Sequence, residues 1–141
     1  MPVITVRNLQ RTVEVDLTAL KNFARRALDR CLSLPKRKRK SMLSSLARVD
    51  VVLISDRRIA SLHLRFQKIA GPTDVITFQH GEIFISAQTA QRCAAEFGTS
   101  TRREIELYLL HGLLHLHGFN DKTAADRRRM NAIQDKMMSA L

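Results

Sequence analysis

At 141 residues and 45% hydrophobic content, the chain has the length for one domain built on a single core, without disulfide staples. Trp is absent and only 5% of residues are aromatic, which excludes a surface dominated by base stacking. Lys and Arg total 24 against 13 acidic residues, and the net charge of +11 favours polyanions (RNA, DNA or an anionic membrane surface) without choosing among them.

The N-terminal run Met1-Pro2-Val3-Ile4-Thr5-Val6 lacks the charged and long apolar regions of a signal peptide and reads as a first strand. No apolar run reaches the roughly 20 residues that span a bilayer. From Asp16 or Thr18, Leu17, Leu20, Phe23, Ala24, Ala27, Leu28 and Cys31 recur at helical spacing, and the helix is expected to end near Leu34-Pro35. Lys36, Arg37, Lys38, Arg39 and Lys40 follow, five consecutive cations that read either as a solvated loop or as an RNA contact.

Val49 to Ser55 is a β-rich apolar run, expected to be a strand buried on both faces. Asp56 has the character of an N-cap for a helix carrying Ile59, Leu62 and Phe66, broken at Gly71-Pro72. Asp74–Phe78 and Glu82–Ser86 flank Gln79-His80-Gly81 and are expected to pair as an antiparallel hairpin. A helix over about Ala87 to Phe97 closes at Gly98. Ser100 or Thr101 caps the next, with Glu104 as capping-box partner of Thr101. That helix, Ile105 to about His117, is apolar around most of its circumference and belongs in the core.

Gly118 ends it, and Thr123 caps a last helix with an apolar stripe of Met130, Ile133, Met137, Met138 and Leu141. Arg127, Arg128, Arg129 and Lys136 lie on its outer face. The order β-α-β-α-β-β-α-α-α implies one α/β domain over residues 1–141, a small mixed sheet of about four strands packed with about five helices. Cys31 and Cys93 fall in different helices and form no Cys-x-x-Cys pair, so both read as apolar packing residues.

The chemistry concentrates in Leu109-Leu110-His111-Gly112-Leu113-Leu114-His115-Leu116-His117-Gly118-Phe119-Asn120-Asp121. Histidines four apart on a helix lie one above the other, within reach of one cation. On a core helix two imidazoles need polar partners or a metal. Gly118 turns the chain so that Asp121 reaches back to the same point. Three protein ligands leave an open coordination position, as a catalytic metal requires, and zinc suits two imidazoles and a carboxylate. His117 lies on a different side of the helix and reads as a surface or helix-end residue, with replacement of Asp121 as its other role. Gly112 stands where zincin proteases carry their general-base Glu, which weakens a peptidase reading.

At these residues the sequence resembles the YbeY family of bacterial endoribonucleases and rRNA maturation factors. The family signature His-Gly-x-Leu-His-Leu-x-Gly-Tyr-Asp-His stands here as His111 to Asp121, and the family's Pro-Thr-Asp-Val-Leu-Ser-Phe-Pro as Pro72 to Gln79. Gly81-Glu82-Ile83 follows in place of Gly-Asp-Ile, and the likeness covers nearly the whole chain. The third family histidine is Asp121 here, with Asn120 where the family has Asp. The family arginine thought to face the cleft falls on Gln67, with Arg65 two residues away, and the strand-connecting loop is cut to Gln79-His80-Gly81.

The resemblance implies a single-strand-specific, zinc-dependent endoribonuclease in ribosomal RNA maturation and ribosome quality control. It would work in the cytoplasm beside the small ribosomal subunit, without membrane attachment or DNA specificity. In this reading His111, His115 and Asp121 hold zinc. The metal polarises a phosphodiester oxygen or supplies a hydroxide from its bound water. Arg65 and Gln67 are catalytic candidates, and Lys36 to Lys40 with Arg65 and Arg127 to Arg129 hold the RNA backbone. A second reading is a ribosome- or RNA-binding assembly factor with a structural metal and little nuclease activity.

Overall fold

The computed structural model describes residues 1–35 and 43–141, so the expected contacts of Lys36 to Lys40 lie outside the described residues. Four strands, β1 (Val3–Asn8), β2 (Arg48–Ile54), β3 (Val75–Thr77) and β4 (Glu82–Ser86), form one sheet in the order β1-β2-β4-β3. β2 pairs in parallel with β1 and β4, while β3 runs antiparallel to β4, so the sheet is mixed. Among the described residues five α-helices pack with the sheet: α1 (Leu17–Leu32), α2 (Asp56–Gln67), α3 (Ala87–Phe97), α4 (Thr101–Leu116) and α5 (Ala124–Ala140).

The period-2 rule explains why β2 sits in the middle. Val49, Val51 and Leu53 point into the main core with α1 and α4, while Val52 and Ile54 point the other way, into a cluster with Ile59 of α2 and Ile76 of β3. Apart from Arg48 and Asp50, which pair with each other at 2.9 Å, β2 is apolar on both faces and needs cover on both, and these two clusters supply it. α4 touches α1, α3, α5, β3 and β4, which accounts for its apolar girdle.

At Gly112 α4 comes close to the sheet. A Cβ there would lie 2.8 Å from Ile83 Cγ2 and 3.0 Å from Thr77 Oγ1. This close packing sets the first histidine of α4 beside the edge strand β3.

Several boundaries differ by one residue from the sequence reading. Ser55, not Asp56, caps α2, its hydroxyl accepting from the Arg58 amide. Asp56 instead opens the helix, where its carboxylate suits the positive end of the dipole. There it accepts from Ser86 Oγ (2.6 Å), Thr89 Oγ1 (2.7 Å) and the Arg92 guanidinium.

Ser100, in extended conformation, caps α4 by accepting from Arg103. The capping box of Thr101 with Glu104 is therefore absent, and Glu104 accepts from the Thr99 hydroxyl at 2.9 Å instead. α2 stops before Gly71-Pro72, at Lys68 in the left-handed conformation (φ 60°). Its expected stripe is also narrower, because Ile59 is buried whereas Phe66 is 54% exposed. Cys31 is enclosed in the core, where burial pushes its thiol up to about 12, and Cys93 is half-buried.

Candidate metal centre

α4 carries His111 and His115 one turn apart with their rings edge to face, centroids 4.6 Å apart. The helix ends at His117, and Gly118 adopts φ 108°, a conformation that a side chain disfavours. The Phe119 amide then bonds back to the Leu114 carbonyl at 3.0 Å and the Phe119 ring enters the core. The next turn carries Asp121 towards the histidines, with its Oδ2 at 3.8 Å from His115 Nε2. One ligand-capable atom from each of His111, His115 and Asp121 lies within 4.8 Å of the others.

Each ring is held from its far side. His111 Nδ1 lies 2.9 Å from Gln134 Oε1 on α5, and His115 Nδ1 lies 3.1 Å from the Phe119 carbonyl. Both partners are acceptors, so both Nδ1 atoms carry the proton and donate. The two Nε2 lone pairs are thereby turned towards each other at 3.0 Å. Two lone pairs at that separation repel unless a cation lies between them.

Burial and then neighbouring His111 hold the His115 imidazole below its ordinary range, against smaller upward contributions from Asp121 and the Phe119 carbonyl. A neutral His115 is a metal donor. Tetrahedral ligands about 2.05 Å from zinc stand about 3.3 Å apart, close to the observed imidazole spacing. The donor set, its spacing and its acceptor-locked rings fit one divalent cation.

The three side chains open onto a polar cleft of about 410 Å³, whose other walls are Gln67, Gln79 and Thr73 through Thr77. β3 is the edge of the sheet, and its outward side forms this wall. Gln67 thus lines the cleft, whereas Arg65 lies outside it with its Cζ 5.3 Å from the Phe66 ring centroid. Arg127 donates to the Asp121 carbonyl at 3.2 Å and braces the turn, while Arg128 and Arg129 are exposed on α5.

His117 departs from expectation in its burial. It is 1% exposed, bonds through Nε2 to the Leu34 carbonyl at 3.0 Å, and stacks on Phe119 at 6.4 Å. It ties the end of α4 to the chain after α1 and takes no part in the triad.

Gln134 is the polar residue that sequence reasoning passed over. Its signal was a buried amide inside the apolar face formed by Met130, Met137 and Met138. The Phe119 carbonyl was also missed, because it is set by the turn's conformation and carries no side-chain signature.

A family model described as Endoribonuclease YbeY matches residues 5–141. The Endoribonuclease YbeY of Pelotomaculum thermopropionicum is 31% identical, with 100% of this chain and 97% of that protein covered. The Endoribonuclease YbeY of Symbiobacterium thermophilum is likewise 31% identical, with 98% and 96% covered. A solution structure from Thermotoga maritima shares the fold at a TM-score of 0.63 and 24% identity, covering 96% of this chain and 87% of that one. Full-length agreement with the family model and with these relatives leads to one conclusion: the chain belongs to the endoribonuclease YbeY family.

Proposed function

We propose that the protein is a metal-dependent, single-strand-specific endoribonuclease acting in ribosomal RNA maturation and ribosome quality control. The carrying observation is the pair of imidazole Nε2 atoms 3.0 Å apart, with the Asp121 carboxylate beside them, at the wall of an open polar cleft. His111, His115 and Asp121 would hold one divalent cation, zinc by the preference of the donor set. A cation bound there supplies Lewis-acid stabilisation of charge on a phosphodiester oxygen and acidifies water.

The chain's own groups do the rest. Gln134 and the Phe119 carbonyl fix both imidazoles as Nε2 donors, and Arg127 braces the turn that carries Asp121. Gln67, Gln79 and Thr77 line the cleft with donors suited to orienting a phosphodiester, so Gln67 is better placed than Arg65 to touch substrate. Arg128 and the run Lys36 to Lys40 would hold the flanking RNA backbone, in line with the net charge of +11. The small ribosomal subunit as partner and the cytoplasm as location belong to the same proposal. Among the described residues no helix is long and apolar enough to cross a membrane.

The assembly-factor reading fares worse, because a structural zinc site is closed by four protein ligands whereas this triad faces an open cleft. The test is incubation of the purified protein with ribosomal RNA, with and without chelator, beside His115→Ala. Cleavage by the native protein that chelator and the substitution both abolish is expected. No cleavage by the native protein, or equal cleavage by the variant, would overturn the enzyme reading.

A further inference from the structure

Aromatic residues are scarce in this chain, yet three of its six phenylalanines meet in one place beside the cleft. Phe78, at the end of β3, packs edge-on against Phe66 of α2 (centroids 5.1 Å, 78°) and Phe84 of β4 (5.8 Å, 85°). His80, at the hairpin tip, stacks on Phe78 with centroids 5.7 Å apart and planes 25° from parallel. Its ring is steadied by Glu82, whose Oε1 lies 2.5 Å from His80 Nε2. The His80 side chain is nevertheless 67% exposed. Phe66 stands 54% exposed, with Arg65 over its ring, and exposed Leu64 and Ile69 adjoin it in sequence.

This surface borders the cleft through its chain neighbours. Gln67 follows Phe66, and Gln79 separates Phe78 from His80; both glutamines line the cleft wall. Planar rings, steadied in orientation and open on an outer face, match the flat π-surface of a nucleobase. The adjoining polar cleft and Arg65 match the phosphate that the same nucleotide carries. A base inside a duplex already has both faces covered, so only an unpaired one can continue the stack. The chain-wide scarcity of aromatics excludes a surface dominated by stacking, not a single local step.

We propose that His80, backed by Phe78 and flanked by Phe66 and Arg65, is a stacking step for one unpaired nucleobase of a single-stranded RNA at the mouth of the cleft. The proposal rests on the ribonuclease reading and names how the site selects unpaired substrate. It makes His80 and Phe66 specificity-determining residues, and His80 belongs to the short hairpin tip where this chain departs from the family pattern.

The test uses the full-length protein and a single-stranded RNA decamer carrying 2-aminopurine, whose fluorescence falls when the base stacks. Binding by the native protein is expected to quench it. His80→Ala and Phe66→Ala each are expected to lessen the quench and weaken binding by about five- to a hundredfold, while His80→Trp restores both. Both side chains are exposed, so folding is retained, as the thermal melt and metal content check. Unchanged quench and affinity in the Phe66→Ala, His80→Ala double variant would overturn the proposal, as would equal affinity for a decamer with an abasic site in place of the probe base. Fluorescence reads binding rather than cleavage, so the two readings fail separately. A native protein that quenches the probe but cuts no RNA sinks the nuclease reading alone, and one that cuts RNA equally well without both rings sinks the stack alone.

Discussion

Replacing Gly112 by alanine sets two effects of opposite sign against each other. In the interior of an exposed helix the change stabilises by about 1 kcal/mol, because glycine gives up the most backbone freedom on folding. Here the added methyl meets Ile83 Cγ2 at 2.8 Å, Ile83 Cδ1 at 2.9 Å and Thr77 Oγ1 at 3.0 Å. Ile83 is fully enclosed and β-branched, so it has no free volume to retreat into and one stiff rotamer to leave. Overpacking of this kind costs about 1–3 kcal/mol, which exceeds the propensity gain. The net expectation is a loss of about 1 kcal/mol, a fall of about 3–4 °C in Tm for a domain of this size, and a larger fall for Gly112→Val. Thermal melts followed by circular dichroism, in the presence of chelator, read the effect without metal linkage. A rise in Tm for Gly112→Ala would refute the reasoning. The same crowding leaves no room there for a side chain as long as the zincins' general-base Glu, since a Cβ alone already presses on Ile83 and Thr77.

Asp121→Ala is expected to lower metal affinity by tenfold or more, read by metal analysis after dialysis; unchanged content would mean that another residue completes the site. Gln134→Leu, which removes the acceptor orienting His111, is expected to weaken metal binding about 10- to 100-fold, and an unaltered affinity would show that the ring needs no such support. His117→Ala should lower Tm while leaving metal content intact, because the buried imidazole anchors Leu34 and not a cation; loss of metal with unchanged Tm would reverse that assignment. For Asp56, burial raises the carboxyl pKa, but bonds from Arg92, Ser86 and Thr89 outweigh it and leave it below its ordinary 3.8. A depressed folded pKa means stability that is complete above the unfolded value and lost as pH falls through the folded one. Asp56→Asn is therefore expected to cost about 1.5–3 kcal/mol at neutral pH and to flatten the native protein's loss of stability below about pH 4. Denaturant titrations at pH 7 and pH 3 check both halves, and an equal difference at the two pH values would refute the second.

What the sequence makes legible follows from how local each determinant is. The spacing of His111 and His115 is helix geometry, and the reach of Asp121 needs a single left-handed glycine, so both could be read from adjacent residues. The hairpin and the doubly buried β2 likewise announce themselves through a short glycine-bearing turn and an apolar run that only Asp50 interrupts. His117 stands at the helix end, as one of its two readings had it, but not at the surface, because its burial depends on a partner 83 residues earlier. Gln134 hid for the same reason, its bond to His111 spanning 23 residues. The cap of α2 slipped by one position and that of α4 stayed open between two residues, because Ser55-Asp56 and Ser100-Thr101 each offer two adjacent capping side chains. Backbone dihedrals, which composition does not fix, decide between such neighbours.

The turn after α4 separates two jobs that metal sites often combine. Its shape is set by Gly118 and by Phe119, which is held in the core, while Asp121 projects from it with half its side chain in solvent. Among the described residues only His115 pairs with the carboxylate of that third donor, so its length and its lone pairs are what the site constrains. Exchange of an imidazole for a carboxylate there asks nothing of the packing, whereas the same exchange at His111 or His115 would orphan an oriented acceptor. A change of donor is therefore easiest at the solvent-facing corner of the triad, where one ligand can follow another without refolding anything.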